Sequence, residues 1–595
     1  MFVEACKNNG FPYLRLVESK YINKNGKASC KKITIFNIGP LSKFDDGKPD
    51  YVKRLKESFK NGNPLIPSLM EYVDRKPVRE TYDISFKEGD PDCIGHNKLF
   101  SNALIERIME EIGLTTFISR YKALTNYEFD LLGFIRLLIY GRILNPASKI
   151  ATMNQNNDYY SDIIKDIYEY NVYDTLDFLY NYRVNLTNWI NKRLITKFKR
   201  TTNIIYYDVT NFFFEINDPD DDEDSLRKMG VSKENRKQPI VQMGLFMDEQ
   251  GIPISIETFP GNTLDHLTMK KALENTVEGL NLDRFIFVGD RGMYKGDNTY
   301  YLTNQNNGYV ISKSLEKTSK EEKEWAYNQN DYIVLNSDFK YKSHIIKRKV
   351  KVSDEYKDIT EKVVVYFSKK FYNKQVHENK SFLDFIDKLI ESPDNFRITK
   401  TQSSSLKKFL KKELINDKTG EVFNSKDLKA LIDFDKINKY KESFGYYQIV
   451  TSELNMPDLK VIDTYHGLSQ IEDQFRVMKS DLETRPIYVR TNEHIHSHLL
   501  ICLLSLIIIR IIQNKIKSKH ETGKGKNWEM GLSGSRIQTA LNKWTVAEIT
   551  NGYYRFNDTD NKDLKLILDS FDIKIDNKLY KKMELLNVKT GIKVL

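Results

Sequence analysis

The sequence predicts an α/β protein whose central sheet is mixed and opens with a meander of antiparallel strands. Three observations predict it. The run NIIYYDVTNFFF (203–214) is dense in β-branched and aromatic residues, as a buried strand requires. PIVQMGLFMD and IPISIETF come next, joined by the turn residues Glu249, Gln250 and Gly251, so they read as two hairpin-linked strands. RFIFVGD (284–290) is a short continuous apolar run between two helix-like stretches, the mark of a strand covered on both faces.

The remaining elements fall in order around that centre. Residues 1–75 alternate short apolar runs (YLRLVES, KKITIFNIG) with Gly, Asn and Lys turns, which predicts a small β-rich module. Residues 76–200 change to three- and four-residue apolar spacing in LFSNALIERIMEEIGL and FDLLGFIRLLIYGRIL, a helical domain whose second helix ends at Asn145-Pro146. Residues 201–315 give three strands, a helix, a strand, a helix and a strand near 308–313. Residues 316–443 form a Lys-rich insertion, first strand-like (DYIVLN, SHIIKRKVKV, KVVVYFS), then helical (SFLDFIDKLIE, SSLKKFLKKELI). The core resumes over 444–515 with FGYYQIVTSEL and a helix from about 466 to 482. A tail, 516–595, carries no interpretable motif. The strand order matches a ribonuclease-H-like core, in which the first and fourth strands are neighbours.

Bulk properties narrow the function classes without choosing one. The 595 residues carry a net charge of +10, a weak pull toward a polyanionic partner. Cys6, Cys30, Cys93 and Cys502 contain no CxxC pair, which argues against a zinc knuckle or a disulfide framework and suits a reducing cytoplasm. The N-terminal MFVEACKNNG has no apolar core of a signal peptide. The most apolar stretch, Leu499 to Ile509, is closed by Arg510 and is too short for the roughly 20 residues of a span, so a buried core helix is expected and no membrane partner.

Three acids stand out by position. Asp208 lies mid-strand on one face with Tyr206 and Thr210, where a carboxylate is costly unless it meets a partner or a metal. Asp290 ends the fourth strand, just before Arg291-Gly292, and open sheets place chemistry at such ends. On neighbouring strands the two would meet across one rung. Glu472, Arg476 and Lys479 fall on one helical stripe beside the apolar face of Leu468, Ile471, Phe475 and Met478, so a carboxylate and two cations would share a groove. Each feature alone has a plainer reading, as a turn residue or a solvated helix face.

Together they resemble the DDE insertion-sequence transposases, in the branch called the insertion-sequence-four class. The resemblance rests on YYDVTNFFFE around Asp208, the stretch GVSKENRKQPIVQMGLFMDEQGIPISIETFPGNTLDH, VGDRGMY around Asp290, and YHGLSQIEDQFRVMKSDLETRPIYVRTNEHIHSHLLICLL around Glu472. That class carries Tyr, Arg three on, Glu four further and Lys seven beyond. Here the positions hold Tyr465, Leu468, Glu472 and Lys479, and Arg476 is expected to replace the missing Arg at a phosphate. The resemblance implies a catalytic triad of Asp208, Asp290 and Glu472 holding two Mg²⁺ or Mn²⁺ ions, hard cations suited to oxygen ligands. It implies cleavage and strand transfer of double-stranded DNA, at terminal inverted repeats and then at a target. Tyr465, Arg476 and Lys479 would contact phosphates. Joining two ends favours a homodimer in the DNA complex, and cytoplasmic, nucleoid-associated localisation is expected with it. The helical domain would bind DNA ends, form the dimer, or simply pack.

Other residues have weaker cases. Asp265 and His266 in PGNTLDH stand near the site or cap a helix. DPDDDED (218–224) reads as a solvated loop and Asp248 as a hairpin-turn residue. His494, His496 and His498 alternate and so do not share one helical face. Lys347, Arg348 and Lys349 could contact DNA or water. The rival functions are a nuclease that cuts without joining and a catalytically inactive, transposase-derived DNA-binding protein.

Overall fold

Alternating side chains in the first forty residues produce three antiparallel strands, β1 (Phe2–Asn8), β2 (Phe11–Lys24) and β3 (Lys27–Pro40), in the order β1-β2-β3. Val3, Leu14 and Leu16 bury one face against Tyr51, Leu55 and Phe59 of the helix Tyr51–Lys60, whose apolar residues recur every four positions. This computed structural model describes residues 1–73, 96–391, 409 and 433–595, apart from 9, 25–26, 161–162, 217, 221, 235, 281–283, 353, 521–531 and 550–551. The chain divides into two units, Met1–Asp90 and Pro91–Leu595. Cys93, and SSLKKFLKKELI apart from Phe409, lie outside the described residues.

The second unit begins with β4 (Asn97–Leu99) and a helical body. Its helix Leu131–Leu144 starts on Asp130, whose Oδ1 accepts from the Gly133 amide at 3.0 Å, and stops at Asn145 before Pro146. The central sheet comes next in the chain: β5 (Ile204–Phe213), β6 (Ile240–Met247), β7 (Pro253–Pro260), β8 (Ile286–Gly289), β9 (Gly308–Lys313), β10 (Ile333–Asn336), β11 (Phe339–Val352), β12 (Glu355–Ser368) and β13 (Tyr446–Thr451). Its nine strands run β10-β11-β12-β13-β9-β8-β5-β6-β7. β5, β6 and β7 form the meander, and β8 lies parallel to both β5 and β9. The mixed sheet agrees with the expected α/β class. The Lys-rich stretch after 316 adds β10, β11 and β12 to this same sheet, β12 pairing with β13.

The two faces of β5 serve two cores. Ile205, Tyr207 and Val209 pack with Met269, Leu273 and Phe287, beneath the helix Asp265–Leu280. Tyr206 and Phe212 face the larger core, which takes in the helical body and the helix Asn492–His520. That helix is long and apolar enough to cross a membrane, yet its whole apolar window is buried inside the fold. Arg510 does not close it. The guanidinium is fully buried within the helix and donates to Gln474 Oε1 at 2.7 Å, Gln513 Oε1 at 2.6 Å and Asp473 Oδ2 at 2.8 Å. The bonds to Gln474 and Asp473 clamp the helix Ser469–Arg476 against it.

The last residues return to the start of the unit. β14 (Thr545–Ile549), β15 (Tyr553–Phe556) and β16 (Tyr580–Lys581) form a four-stranded sheet with β4, in which Val546 lies opposite Lys98.

Candidate active site

The register of β5 and β8 builds the site. Tyr207 lies opposite Gly289 in the parallel ladder, so Asp208 and Asp290 are the next residues on adjacent strands at the same end. Asp208 remains within β5, and its Oδ1 accepts from the Val209 amide at 2.7 Å. Asp290 leaves β8 and caps the short turn Arg291–Met293, its Oδ1 accepting from the Gly292 amide at 2.9 Å. Burial pushes the Asp208 carboxyl up to about 7; Lys233 opposes this, and Asp290 and Asp265 add to it. Burial also raises Asp290, against the Gly292 hydrogen bond and Lys233 and with Asp265. Two carboxylates taken from water and set near each other resist carrying two negative charges.

The cations come from two directions. Lys233, on the loop before β6, donates to the Val209 carbonyl and lies 3.9 Å from Asp265. Lys479 donates to Glu234 Oε1 at 3.2 Å, and Arg485 pairs with the same carboxylate. Burial holds Lys479 down to about 8, Lys233 pushing the same way and Asp208 opposing. Asp265, the first residue of its helix, therefore stands beside the acid pair. Sequence spacing does not single out Lys233, Glu234 or Arg485. The signal for the first two is the basic run KENRK directly before β6.

The helical stripe of Glu472, Arg476 and Lys479 is broken. The α-helix ends at Arg476, and Val477–Asp481 continues as a π-helical turn. Bonding i to i+5 widens the turn and rotates the residues after it. Lys479 is carried inward to Glu234 and Asp208, whereas Arg476 stays exposed and donates to Asp473 Oδ1 at 3.0 Å. Glu472 is exposed in the first turn. Tyr465 is mostly buried, its hydroxyl 3.0 Å from that of Tyr447, and burial raises its pKa, with Tyr447 and Asp290 adding to the rise. Asp208, Asp290, Asp265, Lys233, Lys479 and Tyr465 thus share one electrostatic neighbourhood. Among the described residues, no group of three or more His, Cys, Asp or Glu is poised to hold a metal ion.

The other candidates have structural partners. Asp248 turns the β6–β7 hairpin, accepting from the Gln250 and Ile252 amides at 2.8 Å each. Asp220, in the acidic loop, pairs with Arg227. His494 lies 2.9 Å from Asp177 Oδ1, His496 3.1 Å from Thr258 Oγ1 and His498 2.8 Å from the Thr484 carbonyl. Arg348 is bound to the buried Glu361, with Nε–Oε2 2.5 Å, because alternation along β11 turns it inward, while Lys347 and Lys349 are exposed.

Asp208 gives a pH test. Its proton is held more tightly folded than unfolded, so between its ordinary value of 3.8 and about 7 the folded chain binds more protons. Stability on its account is present at low pH and falls as pH rises through that window. In chelator, the melting temperature of Asp208→Asn is expected to fall less than wild type between about pH 5 and pH 7. Parallel curves for the two proteins would reject the raised carboxyl.

Residues 213–508 match the family described as a transposase DDE domain. Asp290, Tyr465, Glu472, Arg476 and Lys479 lie inside the match, and Asp208 lies just ahead of it. The match supports a DDE transposase. No curated protein matches the chain. Among solved structures, one titled as a cryo-EM structure of a piggyBac transposase synaptic complex with hairpin DNA is similar over 83% of this chain and 84% of that chain, at 10% identity and a TM-score of 0.28.

Proposed function

We propose that this protein is an insertion-sequence transposase of the insertion-sequence-four class, with a ribonuclease-H-like core, that cuts and rejoins double-stranded DNA. The observation that carries the reading is the half-buried pair Asp208 and Asp290, at the same end of adjacent parallel strands and flanked by Lys233 and Lys479. The family match over 213–508 supports it. So does the strand order β7-β6-β5-β8-β9 within the sheet.

Two carboxylates at the same end of adjacent strands are hard oxygen donors that fit Mg²⁺ or Mn²⁺. Asp208, Asp290 and Glu472 would be the residues that hold two such ions. Such ions, when bound, activate a water or a 3′-hydroxyl and stabilise the leaving oxygen. Glu472, exposed in the first turn of its helix, would be the third oxygen ligand. Lys479, its charge held by Glu234 and Asp208, orients a phosphate as a point charge. Tyr465 and Arg476 hold flanking phosphates, Arg476 exchanging Asp473 for DNA. Two copies joining two DNA ends form the working complex, in the cytoplasm.

The test is cleavage and strand transfer on the element's own end sequence, with Mg²⁺ or Mn²⁺. Wild type is expected to nick and then join. Nicking without joining would make the protein a nuclease, and binding without cutting would leave an inactive DNA-binding protein.

A further inference from the structure

β8 ends before β5 does, and two side chains take over the edge it leaves. The parallel ladder stops where Tyr207 lies opposite Gly289. Two residues further along β5, the Val209 amide donates to Asp208 Oδ1 at 2.7 Å, and the Val209 carbonyl accepts from Lys233 Nζ. In an antiparallel ladder the N–H and C=O of one residue point to the same side. The Val209 amide is spent on Asp208, so both groups face away from β6, toward the side that β8 has vacated. A carboxylate and an ammonium therefore satisfy the two backbone groups of one residue, and Lys233 is brought to the acid pair.

The loop keeps Lys233 at that place. Gly230 and Gly261 pack so closely that a Cβ on Gly230 would strike the Gly261 carbonyl, and one on Gly261 would strike the Ile240 and Lys228 carbonyls. Lys228 and Ile240 exchange backbone bonds at 3.2 and 2.9 Å, and Asn211 Nδ2 donates to the Val231 carbonyl at 3.3 Å. Gly261 stands four residues ahead of Asp265, so the Lys233 loop and the turn leading to Asp265 are fixed to each other. Lys233 Nζ lies 3.9 Å from Asp265 Oδ2, too far for a hydrogen bond. Lys479, the other lysine near the acids, already has the Glu234 carboxylate at 3.2 Å. Lys233 is thus the cation whose charge serves Asp208, Asp290 and Asp265 together. Carboxylates set near each other repel unless a cation compensates them.

We propose that Lys233 is the internal counter-cation of the acid pair, competing with a divalent metal ion for the same carboxylates and keeping metal affinity low in the DNA-free protein. The inference rests on the proposed function. An ammonium and a hard divalent ion are drawn to the same negative oxygens, and each repels the other. Lys233 makes no contact with a reacting atom in this role. It sets how strongly the acids take up metal.

The full-length protein, without DNA, is titrated with Mn²⁺ while the free ion is followed by electron paramagnetic resonance. Lys233→Gln removes the charge and keeps a donor for the Val209 carbonyl. It is expected to bind Mn²⁺ about tenfold tighter than wild type at low salt. The gain is expected to shrink as salt is raised, because Lys233 is exposed. Lys233→Arg keeps the charge and is expected to stay within about twofold of wild type. Adding Asp208→Asn to Lys233→Gln is expected to abolish the gain, which places it at the acid pair. Thermal melts with Mg²⁺ give a second readout, with a larger upward shift expected for Lys233→Gln than for wild type. Equal Mn²⁺ binding by wild type and Lys233→Gln, weaker binding by the variant, or a gain that survives Asp208→Asn overturns the assignment. A gain shared by Lys233→Arg overturns it too, since loop geometry rather than charge is then the cause. DNA cutting by wild type is measured separately with Mg²⁺. Cutting without the Lys233→Gln gain removes the counter-cation and keeps the transposase reading, whereas the gain without cutting keeps the counter-cation and removes that reading.

Discussion

Asp208→Asn is expected to slow DNA cutting by about three orders of magnitude while leaving DNA binding within about threefold of wild type. The substitution is nearly isosteric, so the strand ladder of β5 and its packing against β6 and β8 are kept. The loss is a negative oxygen that has been held in a buried site at the cost of a raised pKa. An amide oxygen is a far poorer ligand for a hard cation. Lys479, which would hold phosphate, is still present and meets less negative charge, as does the neighbouring Lys233, so binding should not weaken. Single-turnover cleavage and duplex titration in parallel separate the two effects. Asp290→Asn and Glu472→Gln should behave alike, and Glu472 is the more exposing case, because its side chain stands in solvent rather than beside the pair. If Asp208→Asn cuts at a rate close to wild type, the carboxylate assignment is wrong.

The largest expected loss of stability lies away from the acids, at Asp248. Its carboxylate and the Arg200 guanidinium are both fully shielded from solvent and meet at 2.6 Å. Arg200 also donates to the Pro253 carbonyl at 2.7 Å and to Asn191, so it ties the last helix of the helical body to the β6–β7 hairpin. Burial lowers the Arg200 pKa and raises that of Asp248, which shows that both charges stay costly even when paired. Asp248→Ala leaves the guanidinium buried and unpaired, and strips the Gln250 and Ile252 amides of their acceptor. The expected loss is about 3–5 kcal/mol. Denaturant unfolding followed by a probe in the second unit measures it. A loss below about 1 kcal/mol would mean that the hairpin relaxes and lets water reach Arg200.

The sheet centre was legible because its signals are local. β-branched runs, the Gln250-Gly251 turn and a strand ending in Asp290 are each spelled out within ten residues or so. The first and second acids were legible for the same reason, since an Asp inside such a run stands out. The Lys479 position was only half legible. Sequence spacing placed it on a stripe with Arg476, but the π turn at Val477–Asp481 leaves no mark in an apolar period. Lys233 was not legible, because it reaches the site from a loop whose path is set by tertiary contacts. Arg510 misled in the opposite sense. A charge at the end of an apolar run reads as a helix boundary, whereas bonds to Asp473 and Gln474 of another helix, and to Gln513 one turn on, hold it as an interior residue.

The pairing of β4 with β14 governs when this protein can finish folding. Lys98 and Val546 are roughly 450 residues apart, which at ribosomal rates of 5–20 residues per second corresponds to roughly 20–90 s of synthesis. Throughout that interval β4 has no strand beside it, and Phe100 lacks the Trp544 and Phe556 rings that pack on it in the finished fold. The nascent chain thus exposes an open strand edge and an apolar patch to chaperones and proteases, and both are covered only when the last strands emerge.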